Sequence, residues 1–280
     1  MNKDINQNMA NINAYKMDGL GNNFLIIDRR QNFLEINKSK IIDLVKRNII
    51  PFDQLITLEK EEENAYPIKI FNSDGIETSA CGNGVRCIAY LISQENKKNQ
   101  LSIKTNERLL KAEITGKQNV KINMGKAKFN WNEIPLNQEL DTTKIKIDFL
   151  NKEYGNGFCL NVGNPHIVYF VKNCDDINLK EIGPKIENYK LFPNRINVTF
   201  AQIIEKNIIK INVWERGAGQ TKACGTAACA TTVAASKKSL INSQKESTIS
   251  FKEGNLYIRY DKEIFMSGPV SEIKKINLEV

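Results

Sequence analysis

Apolar residues fall into many short runs separated by polar turns, a pattern typical of a protein rich in β-strands. The runs that predict strands cover residues 24–28, 68–71, 101–104, 120–124, 167–171, 208–213 and 256–260. Segments 85–92 and 227–235 are apolar or small on nearly every side, which predicts two buried helices. Residues 40–48 predict an amphipathic helix, and the polar stretch 130–143 resembles a linker. Together these elements predict a mixed α/β protein of the α+β type.

The sequence contains an internal repeat at about half its length. Residues 71–82 and 214–225 share an aromatic residue, a polar residue and then Thr, Ala, Cys and Gly at matching positions, with an offset of 224 − 81 = 143. Gly21-Asn22 matches Gly163-Asn164 at an offset of 142, and Gln54 lies opposite Asn197 at 143. Similarity at this spacing indicates a duplication. We therefore expect two pseudo-symmetric halves whose matching loops face one cleft.

The repeated cysteines, Cys81 and Cys224, each precede a glycine at the predicted start of a buried helix. The first N–H groups of a helix have no partner within it, and the helix dipole favours negative charge there. We therefore expect a lowered pKa for both thiols. Two such thiols on opposite sides of one α-carbon can invert it, one as thiolate base and the other as thiol acid. The amides expected to hold the neighbouring carboxylate are those of Gly82, Asn83, Gly225 and Thr226.

Other kinds of cysteine site fit the sequence less well. A core position is the common role of a single cysteine, and it is predicted for Cys87, Cys159, Cys174 and Cys229. A zinc site needs four ligands at short paired spacings, whereas the chain has one histidine, so we expect no metal. A Cys–His nucleophile using His166 leaves the duplicated cysteine without a role. We also find no Gly-rich dinucleotide loop, and we expect no cofactor.

Composition and charge narrow the class of partner. The 280 residues include 40 basic and 32 acidic side chains, for a net charge of +8. Lysines are spread along the chain and acidic residues interrupt them, so we expect a solvated surface and no nucleic-acid partner. No apolar run approaches the ~20 residues of a membrane span, so no membrane association is expected. The polar segment 1–13 lacks the apolar stretch of a signal peptide, so we expect reduced thiols in the cytoplasm.

From about Ala14 onward, the ordered set of motifs resembles the diaminopimelate epimerase family. The matching segments are 17–24 (MDGLGNNF), 52–55 (FDQL), 72–75 (NSDG), 81–87 (CGNGVRC), 163–166 (GNPH), 215–221 (ERGAGQT) and 223–226 (ACGT). That family has two halves, each a β-sheet wrapped around a central helix, and interconverts LL- and meso-diaminopimelate without pyridoxal phosphate or metal. The resemblance implies the same fold, the same reaction and a place in lysine and peptidoglycan precursor synthesis.

The resemblance also implies roles for individual residues. Cys81 and Cys224 would be the acid/base pair, and His166 and Glu215 would tune their pKa values. The residues implied to bind substrate are Asn22, Gln54, Asn72, Gly82, Asn83, Asn164, Asn197, Glu215, Arg216, Gly225 and Thr226. Arg216 suits a distal carboxylate, because a guanidinium fork binds carboxylates bidentately. The sequence leaves open whether Glu215 tunes a thiol or binds an ammonium group.

We expect four segments along the chain. These are a polar leader (1–13), an N-terminal half with Cys81 (14–130), a C-terminal half with Cys224 (131–268) and a segment returning to the N-terminal half (269–280). The expected partner is a small-molecule substrate, and the oligomeric state stays open, with a homodimer as one option. Two alternative functions remain: a racemase of another amino acid such as proline, and a thiol-based redox or binding protein of the same fold.

Overall fold

The structure, a computed structural model, describes residues 12–48, 50–78 and 81–278. This part of the chain contains seventeen strands and four α-helices. The predicted leader 1–13 falls mainly on residues 1–11, which lie outside the described residues. Among the helices described, none is both long and apolar enough to cross a membrane.

Each half contains the same succession of elements. The N-terminal half has β1 (Ile12–Asp18), β2 (Asn23–Asp28), α1 (Lys38–Arg47), β3 (Gln54–Leu58), β4 (Tyr66–Asn72), β5 (Glu77–Thr78), α2 (Gly82–Asn96), β6 (Gln100–Lys104), β7 (Leu109–Gly116) and β8 (Asn119–Gly125). The C-terminal half has β9 (Phe158–Asn161), β10 (Pro165–Phe170), α3 (Leu179–Glu187), β11 (Asn197–Glu205), β12 (Ile208–Glu215), β13 (Gly219–Gln220), α4 (Gly225–Lys237), β14 (Ser247–Phe251), β15 (Gly254–Tyr260) and β16 (Ile264–Pro269). A 3-10 turn covers Lys152–Tyr154, and the last strand is β17 (Lys274–Leu278).

The strand pairings repeat from one half to the other. In the N-terminal half, β2 pairs antiparallel with β1 and parallel with β3, and β4 then leads through β6 and β7 to β8. In the C-terminal half, β10 pairs in the same way with β9 and β11, and β12 leads through β14 and β15 to β16. Antiparallel pairing of β8 with β16 joins the halves, while β17 pairs antiparallel with β1.

The two helices α2 and α4 lie at the centres of the halves. Helix α2 packs against β1, β6, β7 and β8, and helix α4 packs against β9, β10, β11 and β14–β16. Residues 82–93 and 225–235 are all buried, because both helices carry apolar or small side chains on nearly every side. The predicted fold class, with a sheet wrapped around a central helix in each half, is confirmed.

Two segments differ from the sequence expectation. The stretch 130–143 is packed on the C-terminal half rather than free, since Ile134 and Leu136 are buried in its core. Helix α3 has no clear sequence signal, because Gly183 and Pro184 both disfavour a helix interior. Gly183 is needed because a Cβ there would lie 2.6 Å from the Trp214 ring.

Candidate active site

Both Cys-Gly pairs open into one cavity of about 210 Å³ that is lined by both halves. The N-terminal half lines it with Asn22, Asp53, Gln54, Asn72, Thr78, Cys81, Gly82 and Asn83. The C-terminal half lines it with Asn164, Asn197, Glu215, Arg216, Ala218, Thr221, Ala223, Cys224, Gly225 and Thr226. The structure therefore brings together every residue predicted for the site except His166.

Cys81 is the N-cap residue of α2, with an extended backbone (φ −145°). Its Sγ accepts a hydrogen bond from the Gly84 N–H at 3.4 Å, and its S–H donates to Asn22 Oδ1 at 3.6 Å. Burial raises the pKa of Cys81 to about 11, and the Gly84 N–H lowers that pKa only partly. Cys81 is therefore a neutral thiol at neutral pH.

Cys224 is the N-cap residue of α4 and is 4% exposed. Its Sγ lies 3.4 Å from Thr226 Oγ1, and the Glu215 carboxylate lies within hydrogen-bonding reach of the thiol. Burial raises the pKa of Cys224 well above its usual value, and the negative charge of Glu215 raises it further. The expectation of lowered pKa values for both thiols is therefore wrong: desolvation outweighs the field of the helix end.

Glu215 ends β12 beside Cys224. Its Oε1 accepts a hydrogen bond from the Thr221 hydroxyl. Burial raises the pKa of Glu215, whereas the hydrogen bonds from Thr221 and Cys224 lower it. Its charge also raises the pKa of Cys81, so one carboxylate acts electrostatically on both thiols.

His166 lies on β10, is fully buried and pairs in parallel register with Asn197. Burial lowers the pKa of His166 to about 3, and the positive charge of Arg216 adds to this effect, so the ring is neutral. Nε2 lies 2.9 Å from Asn164 Oδ1, an acceptor, which assigns the ring proton to Nε2. In the described part of the chain its hydrogen-bond partner is Asn164 rather than a thiol. The structure thus places His166 behind the cavity wall.

Some amide side chains around the cavity already make hydrogen bonds to other groups of the protein. Gln54 Nε2 donates to Asn72 Oδ1 at 2.9 Å. Asn197 Nδ2 donates to the Pro165 carbonyl at 2.8 Å, and its Oδ1 accepts the Arg216 N–H at 3.0 Å. Asn197 therefore fixes the backbone that carries Arg216.

The N-termini of the two central helices converge on Met266. A Cβ at Gly82 would lie 2.6 Å from Met266 Cε, and one at Gly225 would lie 2.9 Å from Met266 Sδ. Glycine at both positions thus allows the two helix ends to approach β16 closely. Backbone N–H groups at such ends suit a carboxylate.

The sequence analysis missed five cavity residues, which are Asp53, Thr78, Ala218, Thr221 and Ala223. Thr78 and Thr221 occupy equivalent positions (221 − 78 = 143), so their match in the repeat could have identified them as site residues. Asp53 accepts the Asn23 N–H at 2.8 Å, and its position beside Gln54 in a motif was the available clue.

The remaining cysteines are separate from the cavity, and each lies in the core. The four cysteines predicted for the core are all buried as free thiols. Within residues 12–48, 50–78 and 81–278, no group of three or more His, Cys, Asp or Glu side chains is placed to hold a metal ion.

Solved structures with this fold include proteins named as epimerases and others named as phenazine biosynthesis proteins of the PhzF family. A predicted epimerase from Pseudomonas aeruginosa has a TM-score of 0.69 and 13% identity, over 96% of this chain and 99% of that chain. A hydroxyproline epimerase from Agrobacterium vitis has a TM-score of 0.62 and 10% identity, over 96% and 93%. The chain therefore shares its fold with these two proteins.

Sequence relatives define the family. The diaminopimelate epimerase profile matches residues 14–130 and 158–273. Diaminopimelate epimerase of Pelagibacter ubique (strain HTCC1062) is 48% identical over 274 residues, covering 96% of this chain and 99% of the relative. That of Acidiphilium cryptum (strain JF-5) is 37% identical over 257 residues, covering 91% and 92%. The chain belongs to the diaminopimelate epimerase family and is an isomerase, which confirms the resemblance seen in the sequence.

Proposed function

We propose that this protein converts LL-2,6-diaminopimelate to meso-diaminopimelate without a cofactor, with Cys81 and Cys224 as thiolate base and thiol acid. The observation that carries the proposal is that the two cysteines cap two central helices, one from each half, and line the same cavity. Family membership supports the choice of substrate. The product would supply lysine and peptidoglycan precursor synthesis in the cytoplasm.

The helix ends provide the site for the reacting carboxylate. Gly82 and Asn83 on one helix and Gly225 and Thr226 on the other line the cavity, and their backbone amides belong to the first turn of each helix. When the α-proton leaves, negative charge moves from the α-carbon into this carboxylate. Positive helix ends and unpaired N–H groups stabilise that charge in the transition state more than in the bound substrate.

Proton transfer then needs one thiolate and one thiol. The thiolate removes the α-proton from one side of the carbon, and the opposite S–H delivers its proton to the other side. Glu215 lies beside Cys224, and its negative charge favours the protonated form of that thiol. The raised thiol pKa values make the thiolate a stronger base toward a weakly acidic α-proton.

The distal end of the substrate separates this proposal from a proline-type racemase. Arg216 on the cavity wall offers a planar fork for a second carboxylate. Asn72 and Asn164 add amide groups that both donate and accept hydrogen bonds, which suits an amino-acid end. A substrate with two amino-acid ends uses these groups, whereas proline leaves them unused.

The test is incubation of the purified protein with LL-diaminopimelate in D2O without added cofactor. We expect deuterium at the α-carbon and formation of the meso isomer, measured by mass spectrometry and chiral chromatography. Proline serves as the comparison substrate and should gain no deuterium. Exchange with proline alone would favour the racemase alternative, and the absence of exchange with either substrate would contradict the proposal.

A further inference from the structure

The turn between β12 and β13 carries two of the three charged residues that line the cavity, Glu215 and Arg216. Within this turn, Gly217 and Gly219 have φ values of +77° and +84°, a conformation that L side chains rarely adopt. Apart from the pairing of β12 with β13, one hydrogen bond joins backbone groups within the turn, from the Ala218 N–H to the Glu215 carbonyl at 3.0 Å. The direction of Arg216 therefore depends on contacts outside the turn, which are the hydrogen bond from its Nη1 to the Asn194 carbonyl at 3.2 Å and the bonds that hold the turn backbone.

Glu187, the last residue of α3, holds this turn from behind. It is 5% exposed, and its Oε1 accepts the Gly217 N–H at 2.8 Å while its Oε2 accepts the Trp214 indole N–H at 2.7 Å. Arg195 Nη1 lies 3.4 Å from Oε1 and supplies a partly exposed positive charge. Gly217 directly follows Arg216, and Trp214 directly precedes Glu215. The Glu187 carboxylate therefore accepts hydrogen bonds from the residues on either side of the Glu215-Arg216 pair.

The other half has no such carboxylate in its equivalent position. At the repeat offset Glu187 corresponds to Leu44 of α1 (187 − 44 = 143). The matching turn after β4 has Asn72 and Ser73 in place of Glu215 and Arg216. There the turn's own Asp74 accepts the Ile76 N–H at 2.9 Å. The buried Glu187 carboxylate thus occurs in the half whose turn places charged side chains on the cavity wall.

We infer that Glu187 is a positioning residue that holds the 215–220 turn so that Arg216 faces the distal carboxylate of the substrate. This inference rests on the proposed function. Glu187 lies outside the cavity wall and acts through the turn. A turn that spends less time in the binding-competent conformation weakens the apparent affinity by the same fraction. Glu187 therefore contributes to substrate binding without touching the substrate.

The test compares Glu187→Gln with a matched control, Glu181→Gln, on the same helix. Glutamine keeps the shape but can accept only one of the two N–H groups with its oxygen, and its own NH2 faces the other. We expect the KM for LL-diaminopimelate to rise about tenfold, as expected for the loss of one charge-assisted hydrogen bond, and kcat to fall less than KM rises. Glu181 hydrogen bonds to the exposed Lys185, and its variant should leave both constants unchanged.

A second readout needs no substrate. The chain has two tryptophans, so Trp131→Phe assigns the Trp214 indole proton in an NMR spectrum. In the wild type this proton should exchange slowly with solvent, because Glu187 accepts it. In Glu187→Gln its resonance should shift and its exchange should become faster, while Glu181→Gln should match the wild type.

The two readouts distinguish the inference from the proposed function. If the chemical shift and exchange rate of the Trp214 indole proton are unchanged in Glu187→Gln, Glu187 does not hold the turn. If KM is unchanged, Glu187 does not position Arg216. A loss of activity that appears only in kcat and follows the loss of folded protein, measured by thermal unfolding, also overturns the inference. If the wild type does not turn over diaminopimelate, the proposed function fails, and the indole proton still decides whether Glu187 holds the turn.

Discussion

At the scale of single residues, Cys81 and Cys224 occupy equivalent positions but have different neighbours. Cys81 is hydrogen bonded to an amide oxygen and to a backbone N–H. Cys224 instead lies beside a carboxylate and a threonine hydroxyl. The repeat predicted both cysteines because Thr, Ala, Cys and Gly recur at a single offset. The direction of their pKa shifts was not predictable, because desolvation depends on surrounding strands that are distant in sequence.

The raised pKa values predict slow alkylation of both thiols at neutral pH. With a pKa of about 11, Cys81 has little thiolate below that pH, so its reaction with iodoacetamide should rise ~tenfold per pH unit from pH 8 to 10. Mass spectrometry of the Cys81 peptide measures the rate. Free cysteine, whose pKa is ~8.5, is the comparison and should level off within this range. A plateau for Cys81 near neutral pH would contradict the raised pKa.

Glu215→Gln should accelerate alkylation of both thiols at a given pH. Removing the negative charge lowers each thiol pKa, and a lower pKa means more thiolate. The same peptide assay at pH 8 measures the change. The control is Glu246→Gln, an exposed substitution that should change neither rate. Equal rates in the wild type and Glu215→Gln would show that the carboxylate does not act on the thiols.

Serine substitutions test whether the two cysteines flank the reacting carbon. Cys81→Ser and Cys224→Ser should each lower epimerisation by ~10²-fold or more, because a serine hydroxyl does not ionise at neutral pH. The remaining thiolate should still release the α-hydrogen of one stereoisomer, and the two variants should prefer opposite isomers. Loss of isotope from labelled LL- and meso-diaminopimelate measures this preference. A shared preference would rule out the two-base arrangement.

At the scale of elements, the two central helices meet β16 at Met266. The sequence predicted both helices from their apolar and small residues, and it assigned Gly82 and Gly225 to carboxylate binding. The structure adds that these glycines also make room for Met266. This packing was not visible in the sequence, because Met266 lies far along the chain from both helix starts.

Gly82→Ala should lower the free energy of unfolding by about 1 kcal/mol, the lower end of the usual effect of overpacking a core, because the atom in the way ends a flexible side chain. The new Cβ would lie 2.6 Å from Met266 Cε, so this side chain has to move. Urea unfolding measures the effect, and Gly116→Ala is the control because no atom lies within 4 Å of its added Cβ. In a Met266→Ala background the loss from Gly82→Ala should be smaller. Equal losses in both backgrounds would exclude this contact as the cause.

At the scale of the whole molecule, a hairpin tip of each half covers the Gly-Asn loop of the other. The tip between β6 and β7 places Arg108 over Gly163, and the tip between β14 and β15 places Glu253 over Gly21. Both glycines have positive φ, +111° and +80°, so a side chain there would be strained as well as crowded. The duplication thus produces a reciprocal interface on either side of the cavity.

Arg108→Ala should lower the free energy of unfolding by about 1–3 kcal/mol, because it leaves buried carbonyl groups unpaired. Arg108 Nη1 donates to Met124 O of its own half at 3.2 Å and to Val162 O of the other half at 3.1 Å. Urea unfolding measures the loss, and the exposed Arg259→Ala is the matched control with little expected effect. Equal stability of the two variants would argue against Arg108 as a link between the halves.

The sequence by itself determined seven of the seventeen strands described, three of the four α-helices, the duplication and the pair of helix-capping cysteines. These features depend on local hydrophobic patterns and on a sequence repeat, and both can be recognised without knowledge of the fold. Only the tertiary structure decided that both thiol pKa values are raised, that His166 supports Asn164, and that Glu187 holds the turn of Arg216. The physical reason is that desolvation and hydrogen bonding between distant segments exist only after the strands enclose the two helices.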